Sequence, residues 1–377
     1  MEIFKFKDFI KENIINKKLP VPNEIKELSN IFKENGKKLY IVGGWVRDYL
    51  MGKTPEDIDL TTDSLPDETL EFLGGKYSVD LVGKAFGVII LRIGDQDIEI
   101  ASFREDSSGR KPDVKLGVTI EEDVKRRDLT ISALFYDIDK EEIVDLVGGI
   151  DDINNRVIRM VGDPLDRINE DQLRVLRLIR FASRYNFDID PKTAESVSKN
   201  VDLSGISKER IVEEFLKSYK KGSGFKRFLD TITKFDIWDQ IFGDLKINRE
   251  VEETDDLVLY LSNLLKFNDP KRLGILKDFY KWGSKETDSI KFLISLKDFE
   301  PNKIVEYYKE KIRIGISDSM VSKWTELSGF DNKDIIEKFI KYSPSVKSQD
   351  LINMGIKGIE LGKEIKRLEI EKFKSML

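Results

Sequence analysis

The 377-residue chain contains no cysteine and no histidine. The first absence excludes disulfides, thiolate nucleophiles and zinc ribbons. The second removes the usual general base and the commonest transition-metal ligand, so no zinc is expected. Chemistry must therefore rest on carboxylates, lysine, arginine, tyrosine or a hard cation. No apolar run approaches the roughly 18 residues needed to cross a bilayer, and no basic-then-apolar leader opens the chain. The expectation is a soluble, cytoplasmic protein with no membrane partner. Repeats of fixed period and low-complexity segments are also missing. Charge, by contrast, is plentiful: 36% of residues, with 64 Lys+Arg against 70 Asp+Glu and a net charge of −6. That balance argues against a generally basic nucleic-acid coat while leaving room for local basic surfaces. A chain of this length predicts roughly two to four compact units.

Short apolar, β-branched stretches populate the first part of the chain: Leu39–Val42, Gly87–Arg92, Asp97–Ile100 and Leu129–Ile131. Bounded by glycine, aspartate or lysine, they read as strands. From about Glu170 the spacing becomes helical, with Leu173, Leu176 and Ile179 on one stripe and Arg174, Arg177, Arg180 and Arg184 between them. The join lies near residues 146–169, where Gly148-Gly149 and Asp163-Pro164 are turn or breaker signals. The fold class is thus α+β and multidomain, a mixed-sheet head followed by an all-α remainder.

Gly43-Gly44-Trp45-Val46-Arg47-Asp48 follows an apolar strand and leads into a helix-like segment, a turn that exposes backbone N–H groups and leaves room for a phosphate. Gly52-Lys53-Thr54 looks like the tail of a P-loop, but Arg47 stands where that motif needs its first glycine. A P-loop NTPase is excluded. Asp57-Ile58-Asp59 then places two carboxylates at i and i+2, on one side of an extended strand. Like charges so close call for a cation, and Mg²⁺ takes carboxylate oxygens together with substrate phosphates. Glu99, on a strand whose Ile98 and Ile100 face the other way, is the candidate third acid. Asp151-Asp152 is read as a decoy, since adjacent strand positions face opposite sides.

Arg126-Arg127-Asp128 precedes the apolar Leu129–Ile131 stretch. Guanidinium forks match phosphate oxygens, and an aspartate beside them can accept from a ribose hydroxyl; the alternative is a basic turn paired with Glu121, Glu122 and Asp123. In the predicted helix Glu170–Phe181, Asp171 and Arg174 are three apart and share a face. A carboxylate only accepts and a guanidinium only donates. Cytosine and adenine both present an amino donor beside a ring-nitrogen acceptor, whereas uracil and guanine present the reverse, so this pair would accept C and A and reject U and G.

In this order the Gly-Gly turn, the Asp-x-Asp strand, Arg126-Arg127-Asp128 and Glu170-Asp171-Gln172-Leu173-Arg174 resemble the motif series of the class II tRNA nucleotidyltransferase and bacterial poly(A) polymerase family. Ser207–Ile211 looks like the family's fifth motif, and Gly358–Gly362 is weakly similar to the tail of its CCA-adding branch. The resemblance implies a nucleotidyltransferase head with a five-stranded-type sheet, then helical neck, body and tail, here placed at 1–145, 146–215, 216–300 and 301–377. It implies addition of C, C and A to the 3′ end of tRNA, gripped at its acceptor arm, from CTP and ATP with two Mg²⁺ ions. Asp57, Asp59 and Glu99 would hold the metal. Gly43, Gly44 and Arg47 would lie around the triphosphate, Arg126, Arg127 and Asp128 would hold ribose and phosphates, and Asp171 and Arg174 would read the base with support from Arg177. Ser132 stands where the family usually has Asn. The polar segment Phe103–Val114 reads as a mobile loop, which in the family accompanies full CCA addition rather than CC addition. The His-dependent phosphohydrolase domain of some relatives is excluded.

RNA contact is expected at two basic patches: Lys217, Lys220, Lys221, Lys226 and Arg227 among aromatics, and Lys363, Lys366, Arg367, Lys372 and Lys374 near the C-terminal end. Phe225 and Phe228 have the spacing of a core stripe. Readings beside full CCA addition are a CC-only or A-only enzyme, a poly(A) polymerase, or an RNA-binding protein without activity. Oligomeric state is left open.

Overall fold

The computed structural model describes residues 14–106, 114–220, 224–252, 254–279 and 284–377. Ten strands of the first part are β1 (Ile14–Asn16), β2 (Leu39–Val42), β3 (Asp59–Thr62), β4 (Ser78–Asp80), β5 (Val88–Ile93), β6 (Gln96–Ser102), β7 (Arg104–Asp106), β8 (Val114–Leu116), β9 (Leu134–Asp137) and β10 (Glu142–Asp145). Eight of them form one mixed sheet in the order β1-β10-β9-β2-β3-β6-β5-β4. Five central strands are thus flanked by β10 and β1 on one side and β4 on the other, a wider sheet than the five-stranded type. All its pairs run antiparallel except β3 with β6.

The central position of β2 explains its composition. Leu39, Tyr40, Ile41 and Val42 are all buried, as a strand covered on both faces requires. Tyr40 and Val42 join Phe103, Val124, Phe135 and Val161 in one core cluster. Helices of this part are α1 (Asn23–Glu34), α2 (Gly44–Leu50), α3 (Pro66–Leu73), α4 (Ile120–Lys125), α5 (Gly149–Asn154), α6 (Pro164–Glu170) and α7 (Leu173–Tyr185).

Four expectations change. Leu129–Ile131 is not a strand: Leu129 makes an isolated bridge to Met160 and Thr130–Ser132 is a 3₁₀ turn, because a short apolar run is equally suited to a buried turn. The breaker signals at the join are helix starts, with Gly148 at φ 78° opening α5 and Asp163 accepting the Leu165 and Asp166 N–H groups ahead of Pro164. Asp151 and Asp152 therefore sit on α5, where Asp152 is buried and accepts from Thr130 Oγ1 at 2.6 Å. Finally, β7 and β8 pair antiparallel, Arg104 with Leu116 and Asp106 with Val114, so the flanks of the expected loop form a hairpin. Residues 107–113 lie outside the described residues.

Two compact units divide the chain: residues 1–206 with 214–237, and residues 207–213 with 238–377. The second is helical, and its core gathers Phe292, Leu293, Trp324, Ile336, Phe339 and Phe373. Each such fully buried large side chain contributes about 1.5–3 kcal/mol. Among the described residues no helix is long and apolar enough to cross a membrane.

Candidate active site

Asp59 opens β3 and stands in direct register with Glu99 of β6, so both side chains rise from the same face of the sheet. Asp57 precedes the strand, and both aspartates and Glu99 are exposed. The residue after each strand acid, Leu60 and Ile100, is buried, which is the alternation that turns the acids outward. Desolvation by the surrounding protein, followed by the charges of Glu99 and Asp57, raises the Asp59 carboxyl above its ordinary range, while Arg127 pulls it down. Asp59 feels both other acids, yet no cluster of three such side chains at metal-ligand geometry occurs among the described residues. Their chemistry, all hard oxygen donors with an open face, suits Mg²⁺.

Gly43 connects β2 to α2 with φ 71°, a left-handed conformation costly for any other residue. Its N–H donates to the Leu134 carbonyl at 2.9 Å, which ties the turn to β9. Gly44 begins α2, and a Cβ there would lie 3.4 Å from an Arg47 nitrogen. Arg47 itself turns inward. Only 4% exposed, it donates from Nε to Asp48 at 2.8 Å and from Nη1 to Ser132 Oγ at 3.1 Å, and stacks near Phe181 and Tyr185. Ser132 thus has a defined partner. The Tyr185 hydroxyl donates to Asp48 at 3.0 Å. Desolvation works against ionisation of Asp48, but Arg47 and Tyr185 outweigh it and hold its carboxyl below the usual range.

Arg126 and Arg127 share one buried anchor, Asp123. Asp123 of α4 is 0% exposed; its Oδ1 accepts from Arg126 Nε at 2.8 Å, and its Oδ2 accepts from Arg127 at 2.9 and 3.2 Å. The Arg127 guanidinium also lies 4.7 Å from the Phe135 ring centre. The capping box Thr119…Glu122 that starts α4 was the available signal, since it places Asp123, Arg126 and Arg127 at helical spacing. Asp128 accepts from Arg177 Nε at 2.6 Å and from the Leu129 N–H at 2.9 Å, and burial of this acid is outweighed by Arg177, so it stays ionised below the usual range. Arg177 also lies 3.8 Å from Glu214, the buried acid that takes Arg180 at 2.7 Å.

The expected continuous helix from Glu170 to Phe181 is broken. Asp171 has φ −154° and ψ 106°, and its Oδ1 accepts the Leu173 N–H at 3.1 Å, the local competition with helix that aspartate favours. α6 ends at Glu170 and α7 begins at Leu173. Asp171 and Arg174 remain neighbours, since the Arg174 N–H donates to the Asp171 carbonyl at 3.0 Å. Arg174 forms an ion pair with Glu170 at i,i+4. Arg167, unnoticed in the sequence, is buried beside them.

The basic patches are mostly engaged with the protein. Arg227 binds Asn186, the Phe187 carbonyl and Asp188, while Lys226 is exposed. Phe225 and Phe228 are core residues. Lys363 pairs with Glu360, Lys366 with Glu306, and Arg367 with Glu364 and Glu371. Lys217 lies 3.9 Å from Glu214. Lys221 and the Lys220 side chain lie outside the described residues.

A mixed sheet bearing register-paired acids, with a left-handed glycine turn and an arginine-rich segment in the same unit, defines the nucleotidyltransferase class of fold. Residues 39–159 match the family model described as the poly A polymerase head domain, and residues 186–247 match that of the probable RNA and SrmB-binding site of polymerase A. Over 290 residues the chain is 35% identical to a CCA-adding enzyme of Lactobacillus helveticus, covering 72% of this chain and 71% of that protein. It is 33% identical to poly(A) polymerase I of Salmonella typhi over 68% of this chain, spanning 58% of the length of that relative. In structure it is similar to the Bacillus stearothermophilus CCA-adding enzyme in complex with CTP, with a TM-score of 0.69 at 22% identity, covering 94% of this chain and 93% of that one. The chain belongs to the family of class II CCA-adding enzymes and bacterial poly(A) polymerases.

Proposed function

We propose that the protein adds C, C and A to the 3′ end of tRNA from CTP and ATP, without a template, releasing pyrophosphate at each step. The observation that carries the reading is the register pairing of Asp59 with Glu99, two residues after Asp57, in a chain of this family. Asp57, Asp59 and Glu99 would hold two Mg²⁺ ions, which supply Lewis-acid activation of the attacking hydroxyl and charge neutralisation at the leaving pyrophosphate. The terminal ribose hydroxyl attacks the α-phosphorus, and the bond to the β-phosphate oxygen breaks.

The backbone of Gly43-Gly44 borders the triphosphate, and Arg47 braces that turn from within through Asp48 and Ser132. Arg126 and Arg127 offer guanidinium groups held by Asp123, while Asp128 and Arg177 support the sugar and the base-reading segment. Asp171 accepts from the amino group of C or A, and Arg174 donates to the adjacent ring nitrogen. Residues 1–145 serve as head, 146–215 as neck, 216–300 as body and 301–377 as tail. The exposed Lys226 and the tail helix Gly358–Met376 are the RNA-facing candidates, with the acceptor arm as their target.

Incubation with tRNA transcripts ending before CCA, after C and after CC, with single and mixed nucleotides and sequencing of the 3′ ends, tests the reading. Ordered addition that stops after CCA is expected. Arrest at CC, addition of a terminal A alone, or a run of A assigns the same chemistry to a sister activity, and retained tRNA binding without incorporation overturns it.

A further inference from the structure

We infer that Arg167 is a positioning residue that couples base selection to the segment holding the sugar and phosphates. The inference rests on the base-reading assignment of Asp171 and Arg174 proposed above.

Arg167 lies on α6 and is only 7% exposed. Its Nη2 donates to the carbonyl oxygens of Arg126 at 2.6 Å and Arg127 at 3.0 Å, and its Nη1 donates to the Glu170 carboxylate. That same carboxylate oxygen accepts from Arg174 Nη1. The main chain of Arg167 completes the bracket: its carbonyl oxygen accepts both the Asp171 N–H at 3.4 Å and Arg174 Nη1 at 3.1 Å. One residue thus fixes both base readers through its backbone and the Arg126-Arg127 segment through its side chain.

Stability alone gives little reason for this arrangement. A buried guanidinium is costly unless carboxylates surround it, and a well-packed apolar side chain of similar volume is usually as stable or more so. Here the partners are two neutral carbonyls and a single carboxylate shared with another arginine. Desolvation and the Arg174 charge both depress the Arg167 pKa, consistent with a site not arranged for its comfort. A planar fork that reaches carbonyls on one segment and a carboxylate on another is what a rigid spacer between the base edge and the ribose requires. A displacement of about 1 Å in such a spacer costs on the order of a hundredfold in rate, more for the correctly read base than for one that is already misread.

The test compares Arg167→Met, Arg167→Lys and Asp171→Ala with the unaltered protein, measuring kcat and KM for CTP and UTP on a tRNA transcript lacking CCA, together with thermal unfolding. Arg167→Met is expected to lower the CTP-over-UTP ratio of kcat/KM by about tenfold or more, through kcat rather than KM. Arg167→Lys, which keeps the charge but cannot span both segments, should shift the ratio in the same direction by less, and is the readout if the methionine variant does not fold. An unchanged ratio in the Arg167 variants beside a collapsed ratio in Asp171→Ala overturns the inference and leaves the base-reading assignment standing. A ratio unchanged in all three overturns both.

Discussion

Asp59 and Glu99 face each other across the parallel β3–β6 junction, the only parallel contact of the described eight-stranded sheet. Forty residues apart in sequence, they are brought side by side by a register that also aligns Leu60 with Ile100 in the core. Burial of that apolar pair holds the acids together, and desolvation first, then the charges of Glu99 and Asp57, raise the Asp59 carboxyl.

Asp59→Asn should therefore abolish incorporation, by at least about a hundredfold, while making the fold more stable. The sign follows from the raised carboxyl. An acid whose folded-state pKa lies above its unfolded value destabilises the fold wherever it is ionised, so the gain in Tm should appear at pH 7 and vanish below the carboxylate range. Mg²⁺ should raise the Tm of the unaltered protein and leave that of Asp59→Asn unmoved. A variant that retains incorporation would remove Asp59 from the metal site.

Asp123→Asn should loosen at once the two arginines proposed to hold the nucleotide. Removing the charge of a fully buried acid that takes both Arg126 and Arg127 is expected to cost about 3–5 kcal/mol. Denaturant unfolding reads the loss, and at temperatures where the variant stays folded, KM for CTP should rise. Asp123→Glu, which keeps the charge, should recover part of both.

The acid limb of stability should depend on Asp48, Asp123 and Asp128. Each is held below the ordinary aspartate value of 3.8 by the arginines beside it, against the opposing effect of its own desolvation. Their contribution is fully present above that value and is lost as pH falls through the lower, folded-state values. At the other extreme, desolvation of Tyr185 and the nearby Asp48 charge push its hydroxyl from 10.0 up to about 12, so stability should decline as pH rises across that window. Unfolding followed from pH 2 to 12 checks both limbs, and Tyr185→Phe should flatten the alkaline one.

Gly224→Ala should destabilise the first unit without touching the chemistry. Gly224 has φ 121°, and a Cβ there would stand 2.4 Å from the Ser183 carbonyl oxygen, a backbone atom of α7 that cannot swing aside. A loss of about 1–3 kcal/mol is expected. Equal Tm values for the two proteins would show that the backbone relaxes freely.

Much of the site was legible in the residues, for specific reasons. Period-two alternation around Ile98 and Ile100 was sufficient to turn Glu99 outward, because which face a side chain takes is a local property of an extended chain. The break at Asp171 was not legible: an apolar stripe with helical spacing persists through it, and the competing Asx-type hydrogen bond to the Leu173 N–H leaves no trace in that pattern. The inward turn of Arg47 was not legible either: Ser132 and the rings of Phe181 and Tyr185 of α7, which hold it together with its neighbour Asp48, lie far from it in sequence.

The sequence by itself determined which chemistry is open to the protein. Without cysteine or histidine, its chemistry is left to carboxylates, lysine, arginine, tyrosine or a hard cation. The tertiary structure alone decided which groups meet: Asp59 with Glu99, Asp123 with both arginines, and Arg167 with the carbonyls of Arg126 and Arg127. Side-chain direction along a strand or helix is set by neighbouring backbone angles, whereas strand register and helix docking are set by apolar surfaces distant in sequence. The first is written residue by residue; the second exists only once the core has closed.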